Sequence, residues 1–357
     1  MEKQIKQRID NNTTQFLQTN SKSHFLQSPE WAKVKSNWKH EMIVIKENNE
    51  IRGTMSILLR KVPIINRYIM YAPRGFVCDI YDKDTLKKLT EKAKEIAKKY
   101  KAFIFRLDPD ISKEDNQFKG IIKDLGYKTK SNISSIDDVV QPKYVYRLNL
   151  KGKTEESLLM SFEQKTRYNI RLAEKKGIKI KKGTRKDLKT FYDILLETGK
   201  RDKFFIRPFS YFKKIYDNMK SRHVKIFIAE YKNEPIAASM LIIYGNKSWY
   251  LYGGSLNKYR NFMPNYLLQF EMMKCAIENN CEIYDFRGVS GFKDKTNPQY
   301  GVYRFKKGFN EDFIEFIDEL YIVFNPFINI VFNTVTKVYK RICIIKQTVK
   351  KLLKDFQ

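Results

Sequence analysis

The sequence predicts an α/β protein built as two tandem units, each with a mixed sheet. Three observations carry this. The chain has 357 residues, enough for two domains of ordinary size with a core each. Its 42% hydrophobic and 14% aromatic content is that of a globular chain. Short β-rich runs alternate with helical apolar spacing, in the same order in both halves.

In the first half, "SPEWAKVKSNW" (28–38) reads as a helix capped by Ser28 with Pro29 at its first position. Residues 41–62 form two β-rich runs around an Asn-Asn turn, a hairpin signal. "YIMYAPRGFV" adds a strand that ends in a Pro-Arg-Gly turn. Residues 83–100 have helical spacing and a basic outer face, and 102–111 form a short buried strand stopped by Asp-Pro.

The second half starts at "YVYRLNL" (144–150). A single long helix is expected over 154–176, ended by Gly177, then a strand and helices near 185–200 and 208–221. Residues 224–256 give three strands joined by tight turns, 265–280 a helix, and "EIYDFRG" a further strand. This is the element order of an N-acyltransferase core. The expected division is 1–147, 148–339 and a basic helical tail at 340–357.

Lys and Arg number 69 against 40 Asp and Glu, a formal +29. Such a field attracts polyanions, whether RNA, anionic lipid or phosphorylated substrates. Drift of the composition towards Lys, Ile and Asn accounts for part of it. The four cysteines contain no CxxC pair and read as buried reduced thiols. Three histidines lack metal-ligand spacing, so no metal site is expected, and no GxSxG elbow is present. The polar start of the chain and the absence of an uncharged apolar run of membrane-spanning length predict a cytoplasmic protein.

Three segments, "QKTRYNIRLAEKKGI" (164–178), "YLYGGSLNKYRNFMPNYLLQFEMMKCAIENNCEIYDFRG" (250–288) and "YGVYRFKKGF" (300–309), together resemble the FemABX family of peptidoglycan interpeptide-bridge aminoacyltransferases. "EWAKVKSNW" and "FRLDPD" fit as well, so the resemblance spans roughly 20–335. It implies two GNAT-like (acyl-CoA N-acyltransferase-like) domains. It also implies transfer of an amino acid from aminoacyl-tRNA to the side-chain amine of a stem peptide, on lipid II or UDP-MurNAc-pentapeptide. Aminoacyl-tRNA would be a co-substrate, with no cofactor. The long coiled-coil arm of many members has no counterpart here, since only 201–223 separate the neighbouring elements.

The chemistry asks for a carboxylate to take the amine's proton and a cation for the oxyanion. The resemblance places these roles at Asp108 and Lys306. A strand-ending turn is the plain reading of Asp108, and Asp110 competes with it as base. Residues 300–309 are expected to be a strand, with Arg304 and Lys306 on one face and Lys307 on the other; a solvated basic edge is the alternative. Substrate contacts are expected from Lys35, Arg207, Tyr211 and Tyr252, and from Phe305 and Arg304 beside Lys306. The basic run Lys165, Arg167, Arg171, Lys175 and Lys176 is either a solvated helix face or an RNA contact. At 259–268 the Gly-rich pyrophosphate turn of acetyl-CoA-using relatives is replaced by Met263, Pro264 and Asn265, which argues against CoA as donor. Two other readings stay open: an N-acyltransferase with another activated donor, and a non-catalytic RNA- or membrane-surface-binding protein. The tail and 321–335 pack on the second domain or touch the inner face of the plasma membrane.

Overall fold

A computed structural model describes residues 11–339 apart from 64, 131–139, 290–294, 298, 311 and 337. Two seven-stranded mixed sheets organise the chain. In the first, β1 (Lys39–Glu47) and β2 (Glu50–Val62) form a hairpin across Asn48 and Asn49, both left-handed at φ 49° and 65°. Asparagine tolerates that backbone, which is why the turn was legible. β3 (Arg67–Ala72) continues antiparallel, and the short β4 (Val77–Cys78) also pairs with β2. Helix α3 (Lys83–Lys99) then crosses over to β5 (Ala102–Leu107), which lies parallel to β3. Asp82 caps α3 by accepting the Thr85 N–H at 3.0 Å, and Lys98 and Lys99 face the negative end of its dipole.

The second sheet repeats the plan. β8 (Lys179–Gly183), β9 (Val224–Tyr231), β10 (Glu234–Tyr244) and β11 (Lys247–Ser255) form an antiparallel meander. Helix α9 (Pro264–Glu278) crosses to β12 (Ile283–Gly288), parallel to β11. Both units are therefore a meander, a crossover helix and a parallel strand, the GNAT-like α/β order expected. β5 and β12 occupy equivalent places.

One closing strand crosses between the units. After α4 (Asn116–Asp124) and β6 (Lys128–Thr129), β7 (Tyr144–Asn149) joins the second sheet between β12 and β13 (Asp312–Glu315). The last strand, β14 (Leu320–Val323), returns to the first sheet between β5 and β6. The division at 147/148 thus falls inside β7, and β14, within 148–339, lies in the first sheet. Segment 321–335 consequently packs on the first unit and not on the second: Phe332, on the helix at 326–336, stacks 5.3 Å from Phe103. The tail at 340–357 and Cys343 lie outside the described residues; the other three cysteines are buried and free.

The beginning of the chain crosses over too. α1 (Asn11–Thr19) and α2 (Pro29–Val34) supply Leu17, Trp31 and Val34, which with Phe25 pack against α7 (Leu188–Asp202), α8 (Phe209–His223) and the back of the second sheet. Each of these side chains contributes about 1.5–3 kcal/mol by leaving water, so this layer is held firmly. Ser28 caps α2 as expected, its Oγ accepting the Trp31 N–H at 3.0 Å.

Two elements differ from the sequence expectation. The long helix over 154–176 is α5 (Glu155–Ser161) and α6 (Gln164–Lys175), broken at Phe162, whose backbone is extended at ψ 159°. The break plants the Phe162 ring 5.1 Å from Phe309 and 6.1 Å from Phe270 in the core, a tertiary gain that overrides helix propensity. Gly177 closes α6 at φ 82°, as expected. The second difference is α10 (Tyr300–Lys307), a helix where a strand was expected. Among the described residues no helix is long and apolar enough to cross a membrane.

Candidate active site

The C-terminal ends of β5 and β12, the equivalent parallel strands, are where ligands meet open α/β sheets. Asp108 directly follows β5 and is buried. Its Oδ2 accepts the Tyr71 hydroxyl at 2.6 Å, and its Oδ1 accepts the Arg74 N–H at 2.9 Å. Arg74, left-handed at φ 56°, also donates from Nη1 to the Asp108 carbonyl at 3.2 Å and from Nη2 to the Pro142 carbonyl at 2.6 Å. Burial raises the Asp108 pKa above the ordinary carboxylate value, against the opposing pull of Arg74 and Tyr71. A carboxylate so placed is a stronger base than a solvated one.

Asp110, the competing carboxylate, meets the opposite environment. Arg147 forks onto it, with Nη1 donating to Oδ1 at 2.8 Å, and reaches Asp285 Oδ2 from Nε at 2.9 Å. Asp110 resists ionisation through burial, but the Arg147 charge and hydrogen bonds outweigh this and hold its pKa well below the usual range. The two acids left open by the sequence are thereby separated: Asp110 ties β7 and β12 to the first unit.

A second cluster assembles from distant segments. The Lys35 ammonium, at the end of α2, lies 5.2 Å from the Trp31 ring centre and 5.1 Å from that of Tyr211. It donates to the Tyr211 hydroxyl at 3.3 Å. Burial, and then the Arg207 charge, lower its pKa to about 8. Arg207 precedes α8, and its guanidinium packs over the same Tyr211 ring at 5.6 Å. Tyr211 and Tyr252 are joined hydroxyl to hydroxyl, and Tyr252 packs edge-on to Phe212 at 5.1 Å. The four expected residues are therefore one cluster of two cations and two phenols, suited to anions and to flat polar groups.

Helix α10 changes the company of Lys306. A helix sets successive residues about 100° apart, so Arg304 and Lys307 are exposed while Lys306 is buried. Its ammonium donates to the carbonyls of Phe286 at 2.6 Å and Gly288 at 2.7 Å, and sits 5.9 Å from the Tyr250 ring. The expected pairing of Arg304 and Lys306 on one face is lost, because the alternation of a strand does not apply. Phe305 packs edge-on to Tyr266 at 4.9 Å.

Sequence reasoning missed Tyr71, Gln141, Arg74 and Arg287. The Pro-Arg-Gly turn and the "DFRG" run were visible, but nothing in either marked the arginine. Arg287 is left-handed at φ 62°; its N–H donates to Asp285 Oδ1 at 2.6 Å and its Nη2 to Gln141 Oε1 at 2.8 Å. Its charge acts on Tyr252 and Tyr211 on one side and lies beside Arg74 and Tyr71 on the other. Where CoA-using relatives need glycines, Tyr259 and Met263 are left-handed, and Tyr231, Tyr259 and Phe262 form an aromatic group before α9. Among the described residues no cluster of His, Cys, Asp or Glu has the makings of a metal site.

Two GNAT-like units, with a buried carboxylate after β5 and a buried ammonium on the carbonyls of β12, have the build of acyl-transfer enzymes. Comparison with known proteins narrows this. The FemAB family model matches residues 10–233 and 218–337. The chain belongs to the FemAB family and is an aminoacyltransferase. It is 30% identical to the lipid II:glycine glycyltransferase of Staphylococcus epidermidis, over 95% of this chain and 96% of that one. To the Staphylococcus aureus protein of the same name it is 30% identical, over 87% and 90%. The alignment with the former runs to 407 positions, so that relative carries segments this chain lacks. The crystal structure of FemX superimposes with a TM-score of 0.83 at 28% identity, covering 88% of this chain and 96% of that one. The C-terminal domain of a putative lysylphosphatidylglycerol synthetase from Agrobacterium fabrum shares the fold alone, with a TM-score of 0.52 at 10% identity.

Proposed function

We propose that the protein transfers an amino acid from an aminoacyl-tRNA to the side-chain amine of a peptidoglycan-precursor stem peptide, carried by lipid II or UDP-MurNAc. The observation that carries this reading is the bonded link between two of the expected residues: Lys306 holds the carbonyls on both sides of Arg287, Arg287 bonds Gln141, and Gln141 bonds Tyr71, which donates to Asp108. The names of the staphylococcal relatives favour lipid II as acceptor and glycine as the residue moved.

A lysine-like amine arrives protonated, with an unperturbed pKa of about 10.4. In this reading Asp108 takes that proton. The amine nitrogen attacks the ester carbonyl carbon, and the oxyanion is met by the Lys306 charge, which two carbonyls fix in place. Collapse forms the amide and breaks the ester C–O bond; the tRNA ribose oxygen leaves and takes the second proton, which the attacking nitrogen gives up as it becomes the amide. Lys35 and Arg207 hold the acceptor's diphosphate, with Tyr211 and Tyr252 against its sugar. For the donor, the exposed face of α6 offers Lys165, Tyr168, Arg171 and Lys175. α6 abuts α10, since the Glu163 N–H donates to the Gly308 carbonyl at 3.1 Å. Arg304 and Lys307 extend the same basic surface, and Phe305 lines the path to Lys306.

Contact with an anionic inner leaflet is assigned to the helix at 326–336. Phe327, Ile330, Val331 and Val335 form one exposed apolar stripe at helical spacing. Beside its start a groove is lined by Arg67, Lys94, Lys98, Lys101 and Phe324. Apolar stripe and flanking cations are the pair of features that an anionic bilayer recognises.

The test incubates the protein with tRNA charged with labelled glycine, alanine or serine, and with lipid II or UDP-MurNAc-pentapeptide. RNase-sensitive label on the acceptor is the expected outcome. RNase-insensitive transfer would favour another activated donor, and tight RNA binding without transfer would favour the binding-protein reading.

A further inference from the structure

Arg287 has no role in the expected chemistry, yet the structure invests heavily in its position. It adopts a left-handed backbone, which a non-glycine residue holds only where its surroundings dictate it. Asp285 fixes its N–H at 2.6 Å. Lys306 grips the carbonyls on both sides of it, those of Phe286 and Gly288, at 2.6 and 2.7 Å. The result is a guanidinium directed between the Tyr211–Tyr252 cluster and the Tyr71–Asp108 pair.

Its side-chain partner is a neutral amide oxygen, Gln141 Oε1 at 2.8 Å. Among the described residues its guanidinium forms no ion pair; the Asp285 charge favours it and the Arg74 charge opposes it. A half-buried guanidinium whose hydrogen bond goes to a neutral amide keeps donors for an anion. Its planar fork matches a carboxylate in two hydrogen bonds. Gln141 also hydrogen-bonds Tyr71, whose hydroxyl donates to Asp108. Arg287, Gln141, Tyr71 and Asp108 thus form one connected chain.

We propose that Arg287 binds a carboxylate of the acceptor's stem peptide and so sets the peptide's register against Asp108. This rests on the acceptor reading above. The order of contacts supports it: Lys35 and Arg207 on Tyr211, Tyr211 on Tyr252, the Arg287 charge acting on Tyr252, and Gln141 and Tyr71 leading from Arg287 to the base. A peptide running from sugar to reacting amine passes Arg287 on the way. Lys306 is, in addition, a positioning residue for Arg287.

The test measures equilibrium binding of UDP-MurNAc-pentapeptide, and of the same molecule with its peptide carboxylates amidated, to wild type, Arg287→Gly and Arg287→Lys. Glycine accepts the left-handed backbone, so Arg287→Gly is expected to melt no lower than wild type. Wild type should prefer the free carboxylate by about tenfold or more, the scale of a charge-assisted pair. Arg287→Gly should bind both forms alike, and Arg287→Lys should keep part of the preference. In turnover, Arg287→Gly should raise the acceptor KM and, because the peptide's register against Asp108 is lost, also lower kcat by about tenfold or more. Discrimination that survives in Arg287→Gly, or its absence in wild type, overturns this proposal while leaving the acceptor reading intact. Failure of wild type to bind either form, and to bind lipid II in the same assay, overturns both.

Discussion

At the residue scale, burial decides which groups do chemistry. Asp108→Asn keeps the shape of the side chain but removes its basicity. Turnover is expected to fall by about 10²–10⁴, the range for a lost general base, with acceptor affinity nearly unchanged. Wild-type turnover in this variant would remove Asp108 from the mechanism. Lys306→Met should cost both rate and stability, because the Phe286 and Gly288 carbonyls each lose a donor, at about 1–3 kcal/mol per unsatisfied buried group. A variant that melts like wild type would show that the carbonyl grip is idle. Lys35 gives a pH signature. Its pKa is lowered from 10.5 to about 8, first by burial and then by Arg207. Above about 8 the folded chain loses this charge while the unfolded chain still holds it. Stability from this group therefore rises with pH from about 8 to the ordinary lysine value. Affinity for the acceptor's diphosphate should fall across the same window, and Lys35→Met should flatten both trends. An unchanged affinity profile in Lys35→Met would detach the residue from phosphate binding.

At the element scale, α10 and the α5–α6 break escape local pattern for one reason. The stretch 300–309 carries aromatics and cations that suit a strand or a helix equally. Its state is fixed by Phe309 and Phe162 meeting in the core of the second unit, 5.1 Å apart. That contact joins residues far apart in sequence. The basic run on α6 also divides by role. Arg167 caps α5 through the Phe162 carbonyl, and Lys176 lies over Phe262 at 5.5 Å, which leaves Lys165, Arg171 and Lys175 exposed. Reversing charge at Lys165 and Arg171 should raise the KM for charged tRNA several-fold. It should also make the logarithmic salt slope of RNA binding shallower, by about one for each phosphate no longer neutralised. Acceptor affinity should not move. An unaltered salt slope would return α6 to a solvated face.

At the scale of the whole molecule, the return of β14 and the placing of the first segment make the two units one folding problem. The first sheet lacks β14, between β5 and β6, without the second half, and Leu17, Phe25 and Trp31 leave the second sheet's back layer if the first segment is removed. Residues 11–142 and 143–339 expressed separately should be insoluble or unfolded, whereas co-expression should recover soluble complex. Two well-folded monomeric halves would contradict the importance of these crossings. The helix at 326–336 belongs to the same scale. Phe327→Asp with Ile330→Asp should reduce co-sedimentation with anionic vesicles by about tenfold or more and leave transfer to a water-soluble acceptor intact. Equal sedimentation of variant and wild type would remove this surface as the membrane contact.

The sequence by itself determined the two-unit α/β plan, the hairpin at Asn48–Asn49, the Ser28 cap and the Gly177 stop. Each of these is written in local turn chemistry, in apolar periodicity or in motifs that survive as short runs. Only the tertiary structure decided which sheet β14 completes, which of Asp108 and Asp110 is locked by Arg147, and that Arg287 is joined through Gln141 and Tyr71 to Asp108. Those outcomes depend on burial and on partners far away in the chain. An aspartate's pKa and an arginine's partner are properties of the folded neighbourhood, and no local pattern encodes them.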